Sequence, residues 1–542
     1  MRALLILLSL LLVLPPCYGA GKAEHVVVVV WDGLRPDSIN AQDTPTLYKL
    51  AAEGVFFKKH HPVYVSSTEV NAVALATGAT PAHNGIMGNR EYRPAIDPLK
   101  YTDTQSHTAV RKGDELSGGH YIALPTVAEI LQHAGYRTAV AGTKPVALLL
   151  DRLEQGRACT NCINYFAGHV IPSAAEAQTK EEVFTPGGTP NTRQDEATTL
   201  SLIGPQWDAG VPKLSILWLS EPDLTQHATG LGSAPTRAAL KSSDANLARV
   251  LNELDSRGER DKTDVFVVSD HGFSTVSRNV DVAAALKKSG FNAARKYGEP
   301  PTNGDVMVVG EVGTVLLYVT GHDLKLILKL VEFLQQQDFT GVIFTRSPMK
   351  GTFTLDQVGI NTKDAPDIAV SMHWTAEKNS EDVQGMLVND STSYVSGRGS
   401  HASLSPFDMH NTLVAAGPDF RQGMIDDLPS GNIDVAPTVL AILGVPPPHP
   451  MDGRVLTEAF AGGDVPRSDS ITSNNTSRIP LQNQTEVVTG KTVTAPSPAP
   501  VEIEELSAEK VNDTVHWHQY LRVVKYGGAT YFDEGNGGPI PK

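Results

Sequence analysis

The sequence predicts an α/β sandwich: a central, mostly parallel sheet flanked by helices, with an α+β cap inserted late in the chain. Three observations carry that expectation. Residues 26–30 are five consecutive valines, and a solid β-branched run reads as a strand buried on both faces, as in parallel sheets. Further apolar runs, LSILWL (214–219), DVFVVS (264–269) and NTLVAAG (411–417), alternate with helical patterns at 44–54, 126–135 and 237–254, the signature of layered α/β folds. Polar residues also gather just past the strand ends, as Trp31-Asp32-Gly33, Ser220-Glu221-Pro222-Asp223 and Asp270-His271-Gly272. Open α/β sheets place their sites at such ends.

The chain opens with Arg2, an apolar run over 4–14, Pro15-Pro16 and the small residues Gly19-Ala20-Gly21. That order describes a cleavable export signal over residues 1–22, cut between Gly19 and Ala23. The apolar run falls short of the roughly 20 residues that span a bilayer. A secreted or periplasmic protein without a transmembrane anchor is expected. Cys17 leaves a lipid anchor open, although Pro16 before it is not the small residue such processing prefers. In an exported chain, Cys159 and Cys162, spaced C-T-N-C, read as a local disulfide, since no second such pair completes a thiolate metal site.

The body divides into a core at 23–275, an inserted cap at 276–395 and a second core segment at 396–461. Within the cap, strand-like TVLLYVTG (314–321) and APDIAVSMHW (365–374) flank the helical LKLILKLVEFLQQQ (324–337). Residues 462–510, rich in Ser, Thr, Asn and Pro, read as a flexible linker. Residues 511–542 carry two strand-like runs around Gly527-Gly528, a hairpin signal, and are expected to pack back on the core. A net charge of −15 argues against binding nucleic-acid duplexes through a basic face. Nothing in the chain fixes an oligomeric state.

The acidic and imidazole groups near the strand ends are Asp32, Asp223, His227, Asp270, His271 and His401. Singly, an aspartate there is often a helix cap and Asp-His-Gly often a turn. Together, three aspartates and three histidines suit two borderline-hard cations, zinc above all. A nucleophile lies in Val65-Ser66-Ser67-Thr68-Glu69-Val70-Asn71, which precedes an apolar helix. A hydroxyl at a helix N-terminus sits beside free backbone N–H groups able to hold a phosphoryl oxygen. A plain N-cap is the alternative.

Asp32 in WDGLRPD, Thr68 in STEVN followed by ATGATPAHNGIMGN, then EPDLTQH, SDHG and GSH together resemble the alkaline-phosphatase superfamily, in particular its type I phosphodiesterase/nucleotide pyrophosphatase branch. The motifs keep their order across most of residues 26–460. The resemblance implies an alkaline-phosphatase-like sandwich and a secreted hydrolase of phosphodiester or pyrophosphate bonds. It implies two Zn2+ ions, other divalent metals fitting the same ligands. Asp32, Asp270 and His271 would hold one ion, bridged by Thr68; Asp223, His227 and His401 would hold the other. Thr68 would be the nucleophile, and Asn71 would donate its amide to a non-bridging oxygen. The chain departs from the branch at Glu69 and Val70, where an aromatic residue and a proline are usual, and in ending its last motif as Gly-Ser-His-Ala.

The expected partner is a small anionic phosphoester. No Cys-x-Pro-x-Arg run is present, which disfavours a sulfatase. No Arg or Lys flanks Thr68, and charge balance between two zincs, three aspartates and a Thr68 alkoxide favours a diester monoanion, with Glu69 adding to the repulsion of a dianion. Lys144, after the strand-like TAVAG (138–142), could supply a cation for a phosphonate or monoester; a surface-loop lysine is the plainer reading. Transfer of the phosphoryl group to an alcohol is the third alternative.

Overall fold

The computed structural model describes residues 21–152, 159, 161–172, 187–393, 395–462, 472–473, 500–511 and 516–540. Residues 1–20, which include most of the expected export signal and Cys17, and most of the 462–510 stretch lie outside them. The central sheet has nine strands: β1 His25–Trp31, β2 Val55–His61, β3 Thr138–Gly142, β4 Ile163–Phe166, β5 His169–Ile171, β6 Leu214–Leu219, β7 Thr263–Val268, β8 Leu413–Ala416 and β9 Met424–Gly431. Their spatial order is β9-β2-β8-β7-β1-β6-β3-β4-β5. β1 runs parallel to both β6 and β7, and β3 parallel to β6. β8 is antiparallel to β2 and β7.

The valine run explains why β1 is central. Alternate side chains point to opposite faces. Val26, Val28 and Val30 enter one hydrophobic cluster with Ile216, Trp218, Phe266 and Val268. Val27, Val29 and Trp31 enter the cluster beneath the other face, with Leu217, Leu219, Val265 and Val267. Both faces are covered, so three parallel strands end together, and their polar endings share one edge of the sheet.

The cap carries a six-stranded sheet that includes Thr314–Val319 and Ile368–Met372, antiparallel neighbours. Helix Leu324–Leu334 buries Ile327, Leu330, Val331 and Leu334 in a common cluster with that sheet. Cys159 and Cys162 form a disulfide. Among the described residues no helix is long and apolar enough to cross a membrane.

At the C-terminus, strands His516–Tyr526 and Ala529–Pro539 pair antiparallel. Gly527 and Gly528 both take positive φ, 60° and 88°, which glycine reaches without steric cost. A third strand, Glu502–Val511, extends this sheet, although composition marks the stretch as linker. Leu521, Val523 and Phe532 are buried in one cluster with Tyr64, Val65 and Val70, which flank Thr68. The hairpin is therefore part of the core behind the site. Leu521→Ala should destabilise the protein by about 2–5 kcal/mol. Urea unfolding checks this; an unchanged midpoint would mean the hairpin is not packed there.

Candidate active site

Asp32 follows β1, Asp223 opens helix Asp223–Thr229 after β6, and Asp270 and His271 follow β7. The three strands are adjacent, so their ends bring the side chains together. Local geometry tightens the approach. Gly33 takes φ +71°, its N–H donates to Asp270 Oδ1 at 3.0 Å, and a Cβ there would stand 2.8 Å from the Phe273 ring. The Asp223 N–H donates to the Asp32 carbonyl at 3.0 Å. His401 arrives from the loop after the Gly399–Ser400 strand and stacks on His271, with ring centroids 3.7 Å apart.

All three aspartates are buried, and one oxygen of each, Asp32 Oδ1, Asp223 Oδ1 and Asp270 Oδ2, lacks a hydrogen-bond partner. Imidazole nitrogens face them. His271 Nε2 is 3.2 Å from Asp270 Oδ2 and 3.7 Å from Asp32 Oδ1. His227 Nε2 and His401 Nε2 lie 3.2 and 3.7 Å from Asp223 Oδ1. Each ring points Nδ1 at a backbone carbonyl: Gly399 for His227, Gly272 for His271 and Ser66 for His401. A carbonyl only accepts, so Nδ1 carries the proton and a neutral ring turns its Nε2 lone pair inward. Burial, then the neighbouring His271 and His227, hold His401 well below the usual histidine range, in the ligand form. Orphan carboxylate oxygens facing imidazole lone pairs make a donor set that fits divalent cations. Two candidate metal clusters result, Asp32-Asp270-His271 and Asp223-His271-His401. His271 is common to both, whereas the expected division gave it to the first alone and placed His227 in the second.

Thr68 is the first residue of α1 (Thr68–Thr77), which is buried along its whole length. Ser67, not Thr68, occupies the N-cap position, and its side chain makes no capping bond. The Thr68 hydroxyl is instead 3.2 Å from His271 Nε2. It stands at the metal clusters and at the positive end of the helix.

Two expected roles change on the geometry. Asn71 Nδ2 faces the carbonyls of Val63, Val65 and Ser67 at 3.1–3.2 Å, and its Oδ1 accepts from Val63 N–H and Asn432 Nδ2. Its amide ties the entering loop to the helix and has no hydrogen left for a substrate. Asn89 offers a second amide beside the start of the helix. Its Oδ1 accepts the Glu69 N–H at 3.0 Å, and its Nδ2 has no partner among the described residues. Asn89 closes the run ATGATPAHNGIMGN, so the motif itself held the signal. Lys144 is not a surface-loop residue: its side chain is only 15% exposed, and Nζ lies 2.9 Å from both Asp32 Oδ2 and Asp223 Oδ2.

These contacts set the local electrostatics. Burial, then the charges of Asp223 and Asp270, push Asp32 up. Burial opposes ionising Asp223, but Lys144 and His227 outweigh it and hold Asp223 low. Burial likewise opposes the Lys144 charge, and Asp223 and Asp32 overcome it. Glu69 is 1% exposed, and burial pushes its carboxyl up to about 8 against the pull of Lys144. Burial thus works against an ionised Glu69 and weakens its repulsion toward an anion.

The fold and these motifs have counterparts in known proteins. The family model for type I phosphodiesterase / nucleotide pyrophosphatase matches residues 26–407. A mouse bis(5′-adenosyl)-triphosphatase is 21% identical over 447 residues, 80% of each chain. The solved murine ectonucleotide pyrophosphatase/phosphodiesterase 5 superposes with a TM-score of 0.56 at 16% identity, covering 81% of this chain and all of that one. Its inactive threonine-to-alanine form in complex with AMP gives 0.57 at 17%, with the same coverage. The human counterpart gives 0.56 at 17%, covering 79% of this chain and 97% of its own. With the family model spanning most of the chain, this protein belongs to the type I phosphodiesterase/nucleotide pyrophosphatase family of hydrolases.

Proposed function

We propose that this chain is an exported, zinc-dependent hydrolase of phosphodiester or pyrophosphate bonds that works through a covalent Thr68 intermediate. The observation that carries the reading is the pair of buried clusters, Asp32-Asp270-His271 and Asp223-His271-His401, with an orphan oxygen on each aspartate and the shared His271 Nε2 3.2 Å from the Thr68 hydroxyl. Asp32, Asp270 and His271 would hold one Zn2+ and Asp223, His227 and His401 the other. Bound divalent ions supply Lewis acidity, ionising a hydroxyl near neutral pH and offsetting charge on the attacking and leaving oxygens. Thr68 Oγ1 gives its proton to solvent and attacks phosphorus in line: the Oγ1–P bond forms as the P–O bond to the leaving group breaks, and the electron pair departs with that oxygen, which takes up a proton from solvent. Water then attacks the phosphothreonine, and Thr68 leaves and regains its proton. The Thr68 backbone N–H and the Asn89 amide would receive the non-bridging oxygens. The inactive threonine-to-alanine form of the murine relative is in keeping with this role for Thr68. Export is supported by the disulfide, a bond of oxidising compartments.

Lys144 favours a second reading, a phosphonate or phosphate monoester substrate. Its ammonium stands between Asp32 and Asp223, where a dianionic phosphoryl group needs an extra cation.

Thr68→Ala should lower turnover of bis(p-nitrophenyl) phosphate by about a thousandfold or more, while Thr68→Ser keeps part of it. Metal content should stay unchanged, because aspartates and histidines supply most of the coordination. Parental rates in Thr68→Ala would show direct attack by water. Chelation should remove most activity and zinc restore it; full activity after exhaustive chelation rules out the metal mechanism.

The two substrate readings part at Lys144. Comparing kcat/KM for bis(p-nitrophenyl) phosphate, p-nitrophenyl phosphate and phosphonoacetate ranks them directly. If Lys144 contacts the phosphoryl group, Lys144→Ala should depress the dianionic substrates about tenfold more than the diester, some 1.4 kcal/mol of transition-state binding. Equal losses on all three would make Lys144 only a counter-ion for the aspartates.

A further inference from the structure

We propose a third divalent-cation site, of zinc type and without a catalytic part, formed by His61, His410 and Asp533. None of the three belongs to the catalytic set. They come from the end of β2, the residue after the short helix Pro406–Met409, and the C-terminal strand Ala529–Pro539. One ligand atom from each lies within 4.8 Å of the others. His61 Nε2 and His410 Nε2 point at the same oxygen, Asp533 Oδ1, at 3.5 and 2.7 Å.

The argument turns on His61. Its Nδ1 lies 3.0 Å from the Ser430 carbonyl, which only accepts, so Nδ1 carries the proton. A neutral His61 then presents its Nε2 lone pair to a carboxylate oxygen, and two acceptors face each other across 3.5 Å. A proton or a cation between them would turn that opposition into attraction. A second proton makes a buried imidazolium, and the surroundings resist that. His61 is 2% exposed, and its ring stacks on Tyr531 and lies edge-on to His410. A cation satisfies both acceptors and uses the tautomer that the Ser430 carbonyl already imposes.

Two imidazoles and a carboxylate are a zinc-type set with one coordination position left for water. Solvent can reach it: the His410 and Asp533 side chains are 18% and 23% exposed. Arg522 lies 3.7 Å from Asp533 Oδ2 and opposes a cation, but Glu534 and Glu505 pair with the same guanidinium at 2.6 and 3.3 Å. The surrounding charge stays negative. An ion here would join β2 to a strand more than 450 positions later, fastening the C-terminal hairpin to the catalytic sheet.

The test counts zinc in the full chain by plasma mass spectrometry, after equilibration with excess zinc and removal of unbound metal. His410→Gln keeps a side-chain N–H for Asp533 but removes a ligand; Asp533→Asn keeps shape and removes the charge. Each should hold one zinc fewer than the parent and retain hydrolysis of bis(p-nitrophenyl) phosphate. Zinc should also raise Tm more in the parent than in either variant. Equal zinc in the parent and a folded variant overturns the proposal and leaves a metal-free His–Asp–His contact. Because the readout is a difference, an error in the catalytic metal count shifts all proteins alike and cannot mimic the result.

Discussion

Three carboxylates buried at one edge of a parallel sheet are the constraint around which this molecule is organised. Asp32, Asp223 and Asp270 have almost no solvent contact, and each keeps one oxygen without a partner. Several kcal/mol oppose each buried, uncompensated charge. Lys144 reaches only two of the three. Held apart by flexible loops, such groups would relax into solvent. Here they are fixed by strands covered on both faces, and the packing of Val26–Trp31 and its neighbours holds them in place. Cations completing the site would offset that cost, so the burial favours metal binding as much as the ligand types do.

The imidazoles obey the same logic from the other side. A protonated histidine would answer the aspartates, yet His401 and His271 stack at 3.7 Å and His227 stands 5.1 Å from His401. Three imidazolium ions cannot share that space. Backbone carbonyls of Gly399, Gly272 and Ser66 take the Nδ1 protons and fix the rings. This orientation comes from the loops after the strands, which accounts for their glycines. At Gly272 a Cβ would stand 2.0 Å from the Phe407 carbonyl oxygen.

Much of this was legible in the sequence because its signals are local. The valine run announced a strand buried on both faces, and the residues just past three such runs supplied the candidate ligands. What failed depended on contacts made at a distance. Asn71 and Asn89 lie in one motif-bearing stretch, and only the folded loop shows that Asn71 spends its amide on three carbonyls. Lys144 follows β3, the strand beside β6, so the rule that found Asp223 also covered it. The missing information was strand order, which places β3 next to the catalytic strands. Glu502–Val511 was hidden differently: its backbone pairs with a strand that follows it, within a stretch whose Ser and Pro content reads as linker.

Strand order also bears on substrate charge. With Lys144 in solvent and Glu69 ionised, two zinc ions would barely balance three aspartates and a Thr68 alkoxide, and any anion would enter an unfavourable field. Lys144 within the site, with burial working against the charge on Glu69, leaves surplus positive charge on the proposed two-zinc reading. Before Thr68 ionises, that surplus of about two charges matches a dianion; once the alkoxide forms, about one remains, matching a diester monoanion. Binding and attack thus prefer different substrates. A monoester would gain in the ground state and lose part of that gain at the transition state. A diester meets its best balance where the bond is made, and only interactions stronger there raise the rate.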